Sequence, residues 1–242
     1  MHLDIFLQSI ATLANAAFLT IALTVPSLMI GFVISVPLAF MRASDSRYLS
    51  SAILTYTYVF RGTPLLVQLF LIYYGLGQIE MIRHSPLWVL LRDPFWCALL
   101  AFSLNSAAYT TELFRGAIKA VPRGLVEAAE AIGMSRLQRA RLTVFPIAFR
   151  AALPSYTNEV IGLLKASSLA STVTLLEITG VARRLVSETF APYEIFLAAG
   201  VIYLALTYLV TSVFRLLERY LAGAEPKVAR NTAMLSLRRV SP

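Results

Sequence analysis

Charged side chains inside apolar segments are the first places in this sequence where chemistry could occur. Four of them lie within or beside long uncharged runs: Arg61, Glu112, Glu159 and Lys165. At the depth of a lipid bilayer a charge costs at least about 2.5–3.5 kcal/mol, so each needs a partner or an aqueous cavity. Two amides, Gln68 and Asn158, lie in similar segments. An amide in such a place can hydrogen-bond a zwitterion, or it can join two helices.

The spacing of the charged residues indicates which of them can form ion pairs within one helix. Glu112 and Arg115 are three residues apart, which places them on one helix face and predicts an ion pair. Glu159 and Lys165 are six residues apart, on different faces of a helix, so we expect no pair between them. Two interpretations stay open for both: packing between helices or subunits, or lining a pathway in which Glu159 attracts a cation.

Arg61 precedes Gly62 and Pro64, two residues that distort helices. We therefore expect Arg61 at a helix break, where it can cap backbone carbonyls, while a position on a substrate path stays open. The residues that we carry forward as substrate-path candidates are Arg61, Gln68, Asn158, Glu159 and Lys165.

Several kinds of catalytic site are excluded by what the sequence lacks. The two histidines, His2 and His84, are isolated, and the single cysteine, Cys97, permits neither an internal disulfide nor a cysteine-rich metal site. No Gly-x-x-x-x-Gly-Lys-Ser/Thr sequence occurs, so the chain is not itself a P-loop ATPase. We expect no metal, no cofactor bound by this chain and no enzymatic activity of its own.

The composition indicates which elements must position these groups. Hydrophobic residues make up 58% of the 242 residues and charged residues 14%, against about 25% in soluble domains. Long uncharged runs recur, and about 20 apolar residues suffice for a spanning helix. We predict an all-α membrane protein with about five transmembrane helices, at about 13–40, 53–76, 94–114, 152–178 and 194–216. The first run is too long for the apolar core of a secretory signal, so we expect a retained span.

Basic residues predict the orientation, because Lys and Arg accumulate in cytoplasmic loops. The segments after the first and third predicted spans, together with the residues from Arg215 to the C-terminus, hold fifteen of the 21 Lys and Arg residues. The opposite side holds Arg83, Arg92, Arg183 and Arg184. We therefore expect the N-terminus outside, a transmembrane domain over 1–221 and a polar cytoplasmic tail over 222–242. This distribution explains the net charge of +8, so nucleic acid is not an expected partner.

The largest predicted cytoplasmic loop, residues 122–150, contains the signals of two short helices. Pro122 suits the first turn of a helix, and Gly133 suits its C-terminal stop. Between them an apolar face recurs at helical spacing: Leu125, Ala128, Ala129 and Ile132. Ser135 and Gln138 have the spacing of a capping box, which starts the second helix. Such a pair could rest on lipid headgroups or dock a cytoplasmic partner.

The run Glu127–Ala129, followed by Gly133 and Pro146, resembles the EAA loop of ABC importer permeases. In that family the loop inserts into a cleft on a separate ATPase subunit, so the resemblance implies a docking role, with Glu127 in the first turn of the docking helix. The family's loop ends in Ile-x-Leu-Pro, whereas Thr143 and Phe145 occupy the Ile and Leu positions here. The residues that we assign to ATPase coupling are Glu127, Ala128, Ala129, Gly133, Ser135 and Pro146.

Three further segments resemble the polar amino acid subfamily of these permeases: Phe60–Gly77, Ala108–Gly124 and Leu163–Ser171. Ala166 stands where the subfamily commonly has an acid, and Leu125 stands where it commonly has glutamine. The chain looks most like the M-type permeases of histidine, octopine and nopaline import systems. The resemblance implies a permease subunit in a bacterial inner membrane, importing a polar or cationic amino acid or an opine.

The same resemblance implies the partners: an ATPase subunit that uses ATP, a second permease subunit, a periplasmic substrate-binding protein and membrane lipid. A secondary transporter with its own ion coupling is an alternative, but such proteins usually contain paired repeats, and none is visible here. A membrane enzyme is the other alternative, and it lacks a catalytic cluster. The substrate's identity, and the choice between homodimer and heterodimer, stay open.

Overall fold

The chain folds into helices. A computed structural model describes residues 3–44 and 46–223, and no β-strand occurs within those ranges. The helices are α1 (Leu3–Ala43), α2 (Arg47–Gly62), α3 (Leu65–Phe70), α4 (Glu80–Arg83), α5 (Trp88–Leu91), α6 (Pro94–Lys119), α7 (Arg123–Ala131), α8 (Arg136–Gln138), α9 (Phe145–Ala166), α10 (Ile178–Thr189) and α11 (Pro192–Gly223). The prediction of an all-α protein is confirmed for these residues. The predicted tail, 222–242, lies outside them except for the end of α11.

Length and hydropathy identify which of the described helices can cross a membrane. α1, with 41 residues, and α11 are each long and apolar enough, and the number rises to four if each of two bent helix pairs forms one span. α6 is not in that set, although it has 26 residues. Its buried polar side chains lower its hydropathy: Ser103, Asn105, Ser106, Thr110 and Thr111. The topology of five spans, with the N-terminus outside, stays a prediction.

The predicted second span, 53–76, is not one continuous helix. α2 ends at Gly62, and α3 with its continuation to Gln78 is bent from it by 103°. Pro64 explains the break, because it lacks an N–H and disfavours the helical conformation in the residue before it. That residue, Thr63, is extended, with φ −115° and ψ 145°. The segment after α3 is a π-helical turn followed by a short 3-10 helix.

The predicted fourth span, 152–178, is displaced and interrupted. α9 begins at Phe145, and a 3-10 helix continues it to Val173. Thr174 then adopts the left-handed conformation, with φ 69°, and a bend of 50° separates this segment from α10. The Glu177 side chain caps α10 by accepting two of its first N–H groups, at 2.8 and 3.0 Å.

α6 lies at the centre of the fold, packed most extensively against α1 and also against α2 and α9. Two of its large side chains, Phe102 and Phe114, are almost fully buried. Phe114 belongs to an aromatic cluster with Phe32, Phe149 and Tyr156, which joins α6 to α1 and α9. A second apolar cluster joins the first part of α1 to α10 and α11. α6 therefore sets the positions of α2 and α9, which carry predicted path residues.

Candidate functional site

The coupling segment, residues 122–150, begins with α7, which ends in two backbone hydrogen bonds around Gly133. The N–H of Gly133 donates to the carbonyl of Glu130 at 2.9 Å, and the N–H of Met134 donates to the carbonyl of Ala129 at 3.1 Å. This pair of bonds requires a left-handed residue between them, and Gly133 has a φ of +83°. Because glycine enters that region without steric cost, the predicted helix stop is confirmed.

The capping box predicted at Ser135 is also present, but the second helix is not separate. The Ser135 Oγ accepts the N–H of Gln138 at 3.3 Å, and the Gln138 Oε1 accepts the N–H of Ser135 at 2.8 Å. α8 then continues through a π-helical turn, Arg139–Val144, directly into α9. The second of the two predicted helices therefore begins where expected, but it is not short, because it is continuous with α9. Pro146 is the second residue of α9, directly after the π-helical turn, and its missing N–H removes one hydrogen bond from this continuous helix.

The coupling segment presents apolar side chains beside charged ones. Of the four residues predicted to form an apolar face, Ala129 packs inward and the other three are exposed. Glu127 is exposed and occupies the fifth position of α7, so the prediction that it lies in the first turn is wrong. An ion pair of 2.6 Å between Glu130 and Arg139 holds α7 against the π-helical turn. The exposed large apolar side chains of this segment are Leu125, Ile132, Leu137 and Leu142.

Three predicted path residues share one cavity of about 460 Å³ between α2, α6 and α9. Arg61 is the last residue but one of α2, which places it at the helix break, as expected. Its guanidinium lies over the ring of Tyr109, 5.4 Å from the ring centroid, rather than against backbone carbonyls. Asn158 and Glu159 line the opposite wall on α9. Besides Glu112 and Arg115, which also line it, the cavity therefore contains one cation, one carboxylate and one amide from the predicted path residues.

Gln68 does not line that cavity, because it holds the break between α2 and α3. Its Nε2 lies 2.7 Å from the carbonyl of Phe60 and 2.8 Å from the Oγ1 of Thr63. Its Oε1 accepts from the Nδ2 of Asn105 at 2.9 Å, and the side chain is buried. These contacts favour the interhelical alternative for Gln68. The role of Asn105 was not predicted, although a polar residue in an apolar run was the available signal.

Lys165 lies in a different cavity, of about 540 Å³, between α9 and α11. Four residues with hydroxyl groups line the same cavity: Ser168, Thr179, Tyr203 and Thr207. Glu159 and Lys165 therefore point to separate cavities, in agreement with their spacing of six residues.

Glu112 forms the predicted ion pair with Arg115, at 2.6 Å between Oε2 and Nε. The carboxylate also accepts from the Nε of Arg42 and from the Oγ1 of Thr57, each at 3.2 Å. These two partners were not predicted. They lie 70 and 55 residues earlier in the chain, and no local pattern connects them with Glu112.

A family model for the inner membrane components of binding-protein-dependent transport systems matches residues 31–223. The chain belongs to this family. The matched range includes the helix break, both cavities and the coupling segment. Proteins similar to this permease carry the names of transport permease proteins rather than of enzymes, including ABC transporter permeases, so the chain is a permease subunit of an ABC importer.

The permease is 46% identical to the nopaline transport system permease protein NocM of Agrobacterium fabrum, over 95% of this chain and 99% of that protein. It is 47% identical to the octopine transport system permease protein OccM of Rhizobium radiobacter, over 87% and 86% of the two chains. It is 41% identical to the histidine/lysine/arginine/ornithine transport system permease protein HisM of Salmonella typhimurium, over 83% and 86%.

Solved structures have the same fold. A crystal structure of an amino acid ABC transporter with histidines matches with a TM-score of 0.74 and 30% identity, over 90% of the permease and 95% of that chain. An inward-facing MetNI methionine ABC transporter matches with a TM-score of 0.69 and 20% identity, over 86% and 95%, which shows the fold alone. The ABC permease fold expected from the resemblance is therefore confirmed.

Proposed function

We propose that this permease carries a polar amino acid, or an amino-acid conjugate such as an opine, with a cationic side chain. The relatives described above belong to transport systems for nopaline, for octopine, and for histidine, lysine, arginine and ornithine. These compounds share a carboxylate and a basic nitrogen. A site for them needs one group that binds an anion and one that binds a cation.

The observation that carries the proposal is the presence of Arg61 and Glu159 in one cavity. A guanidinium binds a carboxylate through two parallel hydrogen bonds, so Arg61 suits the acid end of the substrate. The Glu159 carboxylate suits the cationic end, and the Asn158 amide can hydrogen-bond either. A volume of about 460 Å³ lies in the range usual for small-molecule sites. Gln68 and Lys165 lie outside this cavity, so we assign them no direct contact there.

A second permease subunit is proposed to complete the path, and the exposed face of α9 supports this. Exposed small and polar residues recur along that face: Ala151, Pro154, Ser155, Asn158, Gly162 and Lys165. Polar groups that face lipid at membrane depth leave hydrogen bonds and charge unsatisfied. We infer that this face meets a copy or a relative of this chain, and that substrate passes between the two subunits.

The coupling segment is proposed to dock a separate ATPase subunit in the cytoplasm. The chain has no P-loop sequence of its own, and the segment that contains Glu127 and the stop at Gly133 exposes several large apolar side chains. A periplasmic substrate-binding protein would deliver substrate to the opposite side. This arrangement places the permease in a bacterial inner membrane with its N-terminus outside and its C-terminus in the cytoplasm.

Uptake by the assembled transporter tests the substrate proposal. Proteoliposomes that contain the permease with its partner subunits and binding protein should accumulate labelled arginine, ornithine, octopine or nopaline when ATP is supplied to the ATPase side. Glucose and an apolar tripeptide are the controls, and we expect neither to accumulate. Uptake of the sugar or the apolar peptide at an equal rate would contradict the proposal.

A further inference from the structure

Glu112 joins three helices near the end of α6 that leads into the coupling segment. Its Oε1 accepts from the Nε of Arg42 on α1 and from the Oγ1 of Thr57 on α2, each at 3.2 Å. Its Oε2 accepts from the Nε of Arg115, one turn further along α6, at 2.6 Å. The side chain is only 10% exposed. One carboxylate therefore holds α1, α2 and α6 together.

The charge balance of this junction depends on the carboxylate. Arg42 and Arg115 both point their guanidinium groups at Glu112, so the carboxylate separates two positive charges. Without it, like charges would face each other in a largely buried place, which favours separation of the helices. Arg42 also donates from Nη1 to the Oγ of Ser50 at 2.6 Å, which extends the junction into the first turn of α2.

The junction lies between the cavity and the coupling segment. Glu112 and Arg115 line the same cavity as Arg61 and Glu159. α6 ends at Lys119, four residues beyond Arg115, which is about 6 Å along the helix axis. The first residue of α7 follows after a three-residue turn. Only this three-residue turn and about one helical turn of α6 therefore separate α7 from the junction.

We propose that Glu112 is a positioning residue that transmits movement of the coupling segment to α1 and α2, and through them to the cavity. The carboxylate acts through its contacts with Arg42 and Arg115, and its role is to keep three helix ends moving as one body. The proposal rests on the docking role proposed for residues 122–150. It goes beyond that role because it names Glu112 as the side chain that links the coupling segment to the helices around the cavity.

Glu112→Gln in the whole transporter tests this role, because it removes the charge and keeps the shape. We expect the maximal uptake rate to fall at least tenfold. The KM for substrate should stay within about twofold of wild type, because both Glu112 oxygens are already occupied by protein donors although the residue lines the cavity. The ATPase subunit should still co-purify at wild-type levels, and its hydrolysis should lose stimulation by the loaded binding protein. A variant of the coupling segment, Gly133→Asp, should instead lose the ATPase subunit from the purified complex. Failure of docking and failure of the junction are therefore distinguishable by whether the ATPase subunit co-purifies.

A double-mutant cycle identifies the partner. Arg42→Gln should reduce coupled uptake, and Arg42→Gln with Glu112→Gln should be no worse than Glu112→Gln alone, because both changes break one junction. Glu188→Gln is the matched control, since it removes an exposed ion pair of 3.0 Å with Arg184 on α10 and should leave uptake unchanged.

Thr57→Val keeps all three charges and removes one donor, so it tests the role if Glu112→Gln does not insert. We expect a smaller, two- to fivefold loss of maximal uptake rate with an unchanged KM. Normal stimulated hydrolysis and uptake in either variant, a change in KM alone, or additive effects in the cycle would overturn the proposal.

Discussion

The guanidinium of Arg61 lies over the ring of Tyr109, with its carbon 5.4 Å from the ring centroid. The Tyr109 hydroxyl also donates to the backbone carbonyl of Arg61, at 3.3 Å. The Tyr109 side chain therefore contacts Arg61, at the end of α2, through both the guanidinium and the backbone carbonyl of that residue. Both residues line the cavity, so the ring fixes where the guanidinium lies within it.

Tyr109→Leu removes the ring beneath the guanidinium and should weaken substrate binding. A cation–π contact of this kind contributes about 0.5–1 kcal/mol, so we expect a roughly two- to fivefold rise in the KM for uptake. Tyr109→Phe is the control, because it keeps the ring and loses only a long hydrogen bond, and it should stay near wild type. Equal effects of both substitutions, measured by initial uptake rates, would show that the ring does not orient Arg61.

Glu159→Gln removes the carboxylate of the cavity and should lower the uptake of cationic substrates. The attraction between unit charges at 4 Å is about 4 kcal/mol at an effective dielectric constant of 20, which is an upper bound for a solvated cavity. We expect at least a tenfold loss for arginine and a smaller loss for a neutral amino acid. Competition assays in proteoliposomes measure the ratio of arginine uptake to uptake of the neutral amino acid. Unchanged kinetics would show that Glu159 serves only in packing.

Local signals in the sequence were sufficient for the stop and the cap of the coupling segment, but not for the extent of its second helix. The stop at Gly133 and the capping box at Ser135 depend on residues within five positions of each other, and both have the predicted geometry. The break at Pro64 had its signal too, and a helix break beside Arg61 was expected within the predicted span 53–76. The long-range contacts had none: Arg42 lies 70 residues from Glu112, and only the packing of α1 against α6 brings the two together.

The orientation of the permease is open to a direct test with fusions. A reporter placed after Pro242 should be active in the cytoplasm, and one placed before His2 should be active outside. The reason is the bias of Lys and Arg, fifteen of 21, toward one side of the predicted spans. The measurement is the activity, at each terminus, of one reporter that works only in the cytoplasm and of another that works only in the periplasm. A cytoplasmic N-terminus would contradict the model of five spans.

Glu127→Lys should weaken coupling moderately. Glu127 lies beyond the first turn of α7, so the interaction of its charge with the helix dipole is small. The effect instead depends on an exposed carboxylate that meets the ATPase surface. We expect a several-fold loss of uptake with partial retention of the ATPase subunit, and Glu127→Gln should be milder. Equal values for the two variants would show that charge at this position does not contribute to docking.

Gly133→Asp tests the segment at its most constrained point. No atom outside the adjacent residues lies within 4 Å of a Cβ built at Gly133, so this chain itself has room for a side chain. Non-glycine residues at a φ of +83° carry a cost of roughly 1–2 kcal/mol, and Asp tolerates that region better than most. The variant should therefore insert normally, and the added side chain and charge should obstruct the ATPase cleft. Gly133→Ala, which adds neither length nor charge, is the control.

The most direct measurement purifies the membrane complex of each Gly133 variant and determines co-purified ATPase and substrate uptake together. We predict that Gly133→Asp retains wild-type amounts of permease in the membrane, loses at least tenfold in bound ATPase and abolishes uptake, while Gly133→Ala keeps most of both. Full ATPase retention with normal uptake in Gly133→Asp would contradict the docking role and leave the coupling segment as a surface that rests on lipid.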